Sequence, residues 1–289
     1  MSGLDAAAEL LPGEMRSALR SLPPALLSEA QEIRLRLGRR PALTVGETEQ
    51  ELTRCEIVAR QDLCHVLDRA TGSSPYIAQE SLRHGYVNAG NGVRVGLCGR
   101  MRPGAEGTWA QGNLTSVCIR IPREVRGCAE PFCSVPFVST LILSPPGAGK
   151  TTLLRDMVRL LSDRGERVGL CDERGEVAGL TGGSCCFDVG RCTDVLSEAP
   201  KGRGAMQLLR TMTPRILAMD EISAPEDLSA CRAAAGCGAA ILATAHAGEG
   251  EEWERKPLFR SLREERIFHR LIRIRVGSGG REYREESWD

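Results

Sequence analysis

Lysine, aromatic residues and net charge are all scarce in this chain, and each scarcity excludes something. Phe, Trp and Tyr make up 4% of the 289 residues, too few for the stacking platforms that hold single-stranded nucleic acids. Basic and acidic residues balance at 38 each, which argues against a protein that coats a polyanion. Lys150, Lys201 and Lys256 are the only lysines, the other basic residues being arginine, so no single arginine stands out as functional. No apolar run approaches the roughly 20 residues that span a bilayer. Residues Met1 to Leu11 include acidic side chains and no apolar stretch of useful length, so no signal peptide is expected. The twelve cysteines contain no C-x-x-C pair, and the adjacent Cys185 and Cys186 are poorly placed to bond to each other. Reduced, partly buried thiols in a soluble cytoplasmic protein are the expectation.

What is present suffices for a sizeable core. With 42% apolar residues over this length, two domains are expected. The pattern divides at a stretch from Cys128 to Pro136 that carries two prolines and reads as a linker. Residues 1–136 read as a smaller α+β domain. Leu10 to Leu27 is helical in pattern, with Pro12 and Pro23-Pro24 as punctuation. Glu32 to Leu37 alternates as a strand that ends at Gly38, helices are expected over 61–71 and 74–84, and Gly85 to Gly99 reads as a hairpin turning at Ala89 to Gly92. Val117 to Ile121 alternates as a further strand. From Phe137 onward, continuously apolar strands at Thr140–Leu143, Val168–Cys171, Ile216–Met219 and Ala239–Ala243 alternate with helices, as in a parallel sheet covered on both faces. Leu271 to Val276, with Gly279-Gly280, suggests a terminal hairpin whose arginines face solvent.

The richest string is Ser144-Pro145-Pro146-Gly147-Ala148-Gly149-Lys150-Thr151-Thr152, which follows the strand Thr140 to Leu143. A strand, a Gly-rich turn and a helix in that order grip nucleotide phosphates. Gly147 and Gly149 let backbone amides approach the oxygens, Lys150 supplies a point charge, and Thr151 offers a hydroxyl to Mg²⁺. The helix N-terminus adds its positive end. Leu154, Met157, Val158 and Leu161 fall at i, i+3, i+4 and i+7, so the helix is amphipathic. Ser144 replaces the usual first glycine, at a position that ends the strand.

A second string, Arg215-Ile216-Leu217-Ala218-Met219-Asp220-Glu221, delivers two carboxylates from a buried strand. Asp220 would hold Mg²⁺ through water, and Glu221 would orient or deprotonate an attacking water. Glu173, in Cys171-Asp172-Glu173-Arg174-Gly175-Glu176, ends a neighbouring strand on the same edge and is a competing base. His246, after Thr244-Ala245, ends the fourth strand there and could sense the terminal phosphate. Arg191, Arg203 and Arg210 flank the region as candidates to reach a neighbour's site. The sequence lacks the N-K-x-D string that reads guanine, so ATP is favoured over GTP.

Taken in order, these strings resemble the stage III sporulation protein AA family within the secretion-type (type II/IV) P-loop ATPases. The resemblance rests on Glu32-Ile33-Arg34-Leu35-Arg36, Gly92 to Gly99, Ile119 to Val125, the phosphate loop, Asp172 to Glu176, Thr193-Asp194-Val195-Leu196 with Pro200-Lys201, and Asp220-Glu221-Ile222. It implies an α/β fold with a RecA-like P-loop NTPase core at 137–289 and a smaller α+β N-terminal domain. It also implies a cytoplasmic homo-hexamer that hydrolyses ATP with Mg²⁺ and docks on membrane-embedded subunits of a complex assembled during endospore formation. Related motors contain an acidic box similar to Asp172-Glu173 and a His box similar to Thr244-Ala245-His246, so Glu173 and Glu221 both stand as the base. By the same resemblance Arg94, Arg100, Arg120 and Arg123 become candidates to approach nucleotide. The chain departs at Ser144 and in the Cys-rich loop Gly182-Gly183-Ser184-Cys185-Cys186. The rival readings are a nucleic-acid-dependent RecA-like ATPase and a small-molecule kinase.

Overall fold

Alternation of apolar and charged residues from Ala30 onward makes a strand with one wet face, and the computed structural model places β1 at Ala30–Arg36 with Ile33 and Leu35 inward. Residues 3–72, 85–100, 114–181, 183–247, 253, 256–277 and 280–288 are described. The helix expected over 74–84 lies outside them. Two compact units emerge, one formed by Met1–Arg123 with Thr181–Ser184, the other by Glu124–Leu180 with Cys185–Asp289.

The first unit is an antiparallel sheet with helices. Its strands β2 (Ala42–Val45), β3 (Thr48–Glu51), β4 (Tyr86–Asn88), β5 (Arg94–Gly99) and β6 (Leu114–Arg120) join β1 in the order β3-β2-β1-β6-β5-β4. The hairpin β4–β5 turns through Gly90, Asn91 and Gly92, all at positive φ, as a tight reversal requires. Its helices are α1 (Gly3–Ala8), α2 (Gly13–Arg20), α3 (Pro24–Glu29) and α4 (Arg60–Ala70). The single helical pattern read over 10–27 is thus two helices. Pro12 caps α2, and Pro23-Pro24 starts α3, where a missing N–H costs nothing. One hydrophobic cluster, including Leu19, Ile33, Leu63, Val66, Val95 and Ile119, fills this unit.

In the second unit the strands are β7 (Thr140–Ser144), β8 (Val168–Asp172), β9 (Thr193–Ser197), β10 (Ile216–Met219), β11 (Ala240–His246), β12 (Arg270–Gly277) and β13 (Gly280–Ser287). They form one sheet ordered β9-β8-β10-β11-β7-β12-β13. Every neighbouring pair is parallel except the terminal hairpin β12–β13. Helices α5 (Lys150–Asp163), α6 (Lys201–Thr211), α7 (Pro225–Gly236) and α8 (Pro257–Glu264) accompany it. Along β7, Leu141 and Leu143 enter the cluster that holds Ala205, Leu208 and Ala230, while Ile142 enters the one that holds Leu153, Met157 and Val158. Side chains of alternate strand residues therefore feed cores on opposite faces.

Two expectations need correction, and one strand was not foreseen. Residues 128–136 are not a free linker, because Ala129, Phe132 and Cys133 are buried in the core around α5 and the amide of Ala129 donates to Asp156 Oδ2 at 2.9 Å. The terminal hairpin extends the main sheet through β12 and β7, and Arg273 turns partly inward beside Trp253 while Arg275 stays exposed. Strand β9 carries no apolar run, and every residue in it is half-buried, as at a sheet edge. All twelve cysteines are free. Burial pushes the Cys171 and Cys231 thiols up to about 12, so both stay protonated near neutral pH.

Candidate active site

Parallel pairing brings the carboxyl ends of β7, β8, β10 and β11 to one edge, and the sequence candidates for chemistry lie there. His246 of β11 sits in register with Ser144 of β7, and Met219 of β10 pairs with Cys171 of β8. Ser144 is buried at its strand end. The loop after it turns at Gly147 (φ 75°) and Gly149 (φ 101°), and Gly149 caps α5. Both are left-handed conformations that glycine adopts without strain. A cavity of about 430 Å³ opens beside the loop, lined by residues 144–148 and, from β12, by residues 273–276.

Lys150 is buried at the helix start, where its Nζ lies 3.1 Å from His246 Nε2 and 3.3 Å from Glu221 Oε1. His246 Nε2 is also 2.9 Å from Glu221 Oε1. That nitrogen can accept from Lys150 when bare or donate to Glu221 when protonated, one role at a time. Its other nitrogen, Nδ1, is buried without a hydrogen-bond partner among the described residues. Arg174 closes the web, with its Nη1 2.5 Å from Glu221 Oε2. Burial pushes the Glu221 carboxyl upward, but Arg174, Lys150 and His246 together outweigh it and hold the group below its ordinary value. The residue keeps φ at 53°, a left-handed conformation that costs a side-chain-bearing residue about 1–2 kcal/mol. Its amide donates to Thr244 Oγ1 at 2.8 Å and its carbonyl accepts from Lys201 Nζ at 2.5 Å, which is how the strain is held.

Asp220 is satisfied by hydroxyls. Thr151 Oγ1 donates to its Oδ2 at 2.9 Å, and Thr244 Oγ1 donates to its Oδ1 in a short bond. Burial raises its carboxyl above the ordinary value and Glu221 adds to that, against the two hydroxyls and Lys150. One carboxylate beside one hydroxyl fits Mg²⁺, which keeps several waters and takes other oxygens from phosphates. Among the described residues no group of three His, Cys, Asp or Glu side chains could hold a metal.

The two acids at the end of β8 separate by role. Asp172 is buried and accepts from the amides of Glu176, Val177 and Ala178 at 2.8–3.2 Å, so it shapes the turn and is not solvated. Arg155 of α5 braces the same turn by donating to the carbonyls of Val177 and Glu176, both at 2.6 Å. Glu173 is exposed, and its ion pair is with Lys201 at 3.5 Å.

The arginine candidates scatter. Arg191 donates to the Asp163 carbonyl, and Arg203 and Arg210 lie exposed on α6. In the first unit Arg94 stacks on Tyr86, Arg100 is exposed after β5, Arg120 pairs with Glu32, and Arg123 donates to the carbonyls of Ala30 and Ser28. Sequence reasoning missed Arg281 of β13, whose Nε donates to the Ala148 carbonyl of the loop at 2.9 Å. Thr244 and Lys201, which hold the backbone at Glu221, were likewise not assigned.

A phosphate-type loop, an Asp-Glu strand end and a histidine strand end thus meet on one parallel sheet. The chain belongs to the sporulation stage III, protein AA family. The family's sequence pattern matches residues 5–283. Stage III sporulation protein AA of Bacillus subtilis (strain 168) is 34% identical over 281 residues, covering 94% of this chain and 91% of that protein. The solved structure of the Legionella pneumophila ATPase DotB is similar over 96% of this chain and 82% of its own, with a TM-score of 0.62 and 16% identity. The pilus retraction motor PilT, solved with bound ADP, matches over 89% of this chain and 78% of its own, with a TM-score of 0.60 and 14% identity. At those identities the likeness is one of fold, and it bears out the α/β, RecA-like P-loop architecture for this family member. Among the described residues no helix is long and apolar enough to cross a membrane.

Proposed function

We propose that this family member is a Mg²⁺-dependent ATP hydrolase. The observation that carries the reading is a convergence from three separate elements: Lys150, Glu221 and His246 lie within hydrogen-bond reach of one another, and the adjoining Thr151 bonds to Asp220. The amides of residues 147–152 and the Lys150 ammonium bind the phosphates, and the cavity beside β12 receives the nucleoside. Thr151 and Asp220 would hold Mg²⁺, which neutralises charge on the phosphate oxygens when bound.

The Lys150 ammonium is paired with the Glu221 carboxylate, at 3.3 Å. When phosphate takes Lys150, Glu221 loses one of the cations that depress its proton affinity and becomes a better acceptor for a proton from water. Of the two candidate bases Glu221 is favoured, because it touches both Lys150 and His246 whereas Glu173 pairs with Lys201. His246, able to donate once Lys150 has moved, senses the terminal phosphate. The ADP bound to PilT and the ATPase DotB support the reading through shared fold. A homo-hexameric ring, docked through a partner on a membrane complex of sporulation, completes it and rests on the family and the fold neighbours.

Phosphate release, nucleotide affinity and solution mass, measured for the wild type beside Lys150→Ala, Glu221→Gln and Glu173→Gln, test this. Lys150→Ala is expected to lose nucleotide binding. Glu221→Gln should keep binding and lose about 100-fold or more in turnover, with Glu173→Gln less affected. Normal hydrolysis by both carboxamide variants would sink the mechanism, and turnover that depends on added DNA or RNA would favour a nucleic-acid-dependent enzyme.

A further inference from the structure

Lys201 is buried, yet it is the first residue of α6, where the positive end of the helix repels a cation. A buried ammonium in that place is retained only if its partners hold it. They come from three elements: the Glu221 carbonyl after β10 at 2.5 Å, the Glu173 carboxylate after β8 at 3.5 Å, and Asp227 of α7 at 3.8 Å. Asp227 in turn accepts from the amides of Ser223 and Ala224 at 2.7 and 3.0 Å, so the ammonium and its counter-ion bracket the segment that follows Glu221. That segment starts at the strained φ of 53°.

Composition adds an independent observation. In a chain whose basic residues are otherwise arginine, two of the three lysines are buried, namely Lys150 and Lys201. An arginine would serve an ordinary ion pair, so a lysine here points to the compact ammonium itself. The surroundings agree: a Cβ on Gly202 would lie 3.1 Å from Glu226 Cβ, and one on Gly204 would lie 2.7 Å from Cys171 Sγ. The start of α6 is jammed against α7 and β8, leaving a narrow slot.

We propose that Lys201 is a positioning residue for ATP hydrolysis, fixing the backbone of Glu221 through its carbonyl while neutralising Glu173 and Asp227, so that the Glu221 carboxylate is presented to the site. The proposal rests on the hydrolase reading. It assigns Lys201 no contact with nucleotide.

The test compares wild type, Lys201→Met and Lys201→Arg for affinity toward a fluorescent ATP analogue with Mg²⁺, for kcat and KM, and for amide hydrogen exchange. Lys201→Met should bind the analogue within about threefold of wild type. Its kcat should fall about 100-fold, the cost of a misplaced catalytic group. Exchange should speed up at Ile222, whose amide donates to the Thr244 carbonyl, and not along α6. Lys201→Arg should fail to restore turnover, because the slot excludes a guanidinium. Wild-type kcat in Lys201→Met, or accelerated exchange confined to α6, would overturn the proposal. If Lys201→Met does not fold, Lys201→Met with Asp227→Asn removes the stranded carboxylate. That pair should again bind without turning over, and full activity in it would show that Lys201 only balances Asp227. A wild type without turnover would refute the hydrolase reading, and exchange at Ile222 would then decide by itself whether Lys201 holds this backbone.

Discussion

Glu221 carries more opposing demands than any other described residue of the site. Its backbone sits in a left-handed conformation, its carboxylate faces Arg174, Lys150 and His246, and the neighbouring Asp220 repels it. Because its carboxyl is held below the ordinary 4.5, the folded state favours the ionised form. The stabilisation is therefore fully present above about pH 4.5 and is lost as pH falls through the depressed folded value. Glu221→Gln removes that contribution. In protein free of nucleotide and magnesium, the stability gap between wild type and Glu221→Gln is expected to be widest near neutral pH and to narrow as pH falls below the ordinary 4.5. Denaturant midpoints across that range measure it, and a gap that stays constant with pH would mean that the cations around Glu221 do not stabilise the fold.

At the scale of elements, the terminal hairpin has a consequence for the phosphate loop. Arg281 of β13 donates to the Ala148 carbonyl, and a Cβ on Gly149 would come within 2.8 Å of its Nε. The arginine thus braces the loop at Ala148 and Gly149. Arg281→Ala should weaken ADP binding about tenfold, the order of a lost hydrogen bond to a charged donor. Its melting temperature should barely move, since the residue is exposed. Gly149→Ala, strained at φ 101° and crowded by Arg281, should abolish ADP binding while leaving helix content unchanged. Calorimetric titration with circular dichroism decides both, and unaltered ADP affinity in Arg281→Ala would remove the brace from the account. Why the sequence revealed the loop and not the brace is a matter of range. Residues 140–161 make strand, turn and helix contiguously, and Asp220-Glu221 ends an apolar run, so each was legible in a short window. Strand β9 was not, because an edge strand with Thr, Asp and Ser lacks either periodicity. Residues 128–136 looked like a linker by their prolines, yet Asp156 and the core under α5 claim them. Arg281 could not be singled out among so many arginines, whereas the rarity of lysine was a usable signal for Lys201.

Whole-molecule behaviour follows from where the cores lie. The cluster around Ile33 and Leu63 belongs wholly to the first unit, and the two clusters on either face of the parallel sheet belong wholly to the second. Cooperativity in unfolding comes chiefly from shared buried contacts, so units with separate cores should melt as separate transitions. All the residues proposed to bind nucleotide lie in the second unit. A ligand stabilises only the unfolding transition that destroys its site, by about 2.7 kcal/mol at a hundredfold excess over Kd. For a unit of this size that corresponds to a rise of roughly 5 to 10 °C. Scanning calorimetry with and without ATP analogue and Mg²⁺ should therefore show one transition moving and the other fixed, with neither moving in Lys150→Ala. If both transitions rise together in the wild type, nucleotide binding draws on the first unit as well, and one of its arginines, Arg94, Arg100, Arg120 or Arg123, becomes the next residue to replace.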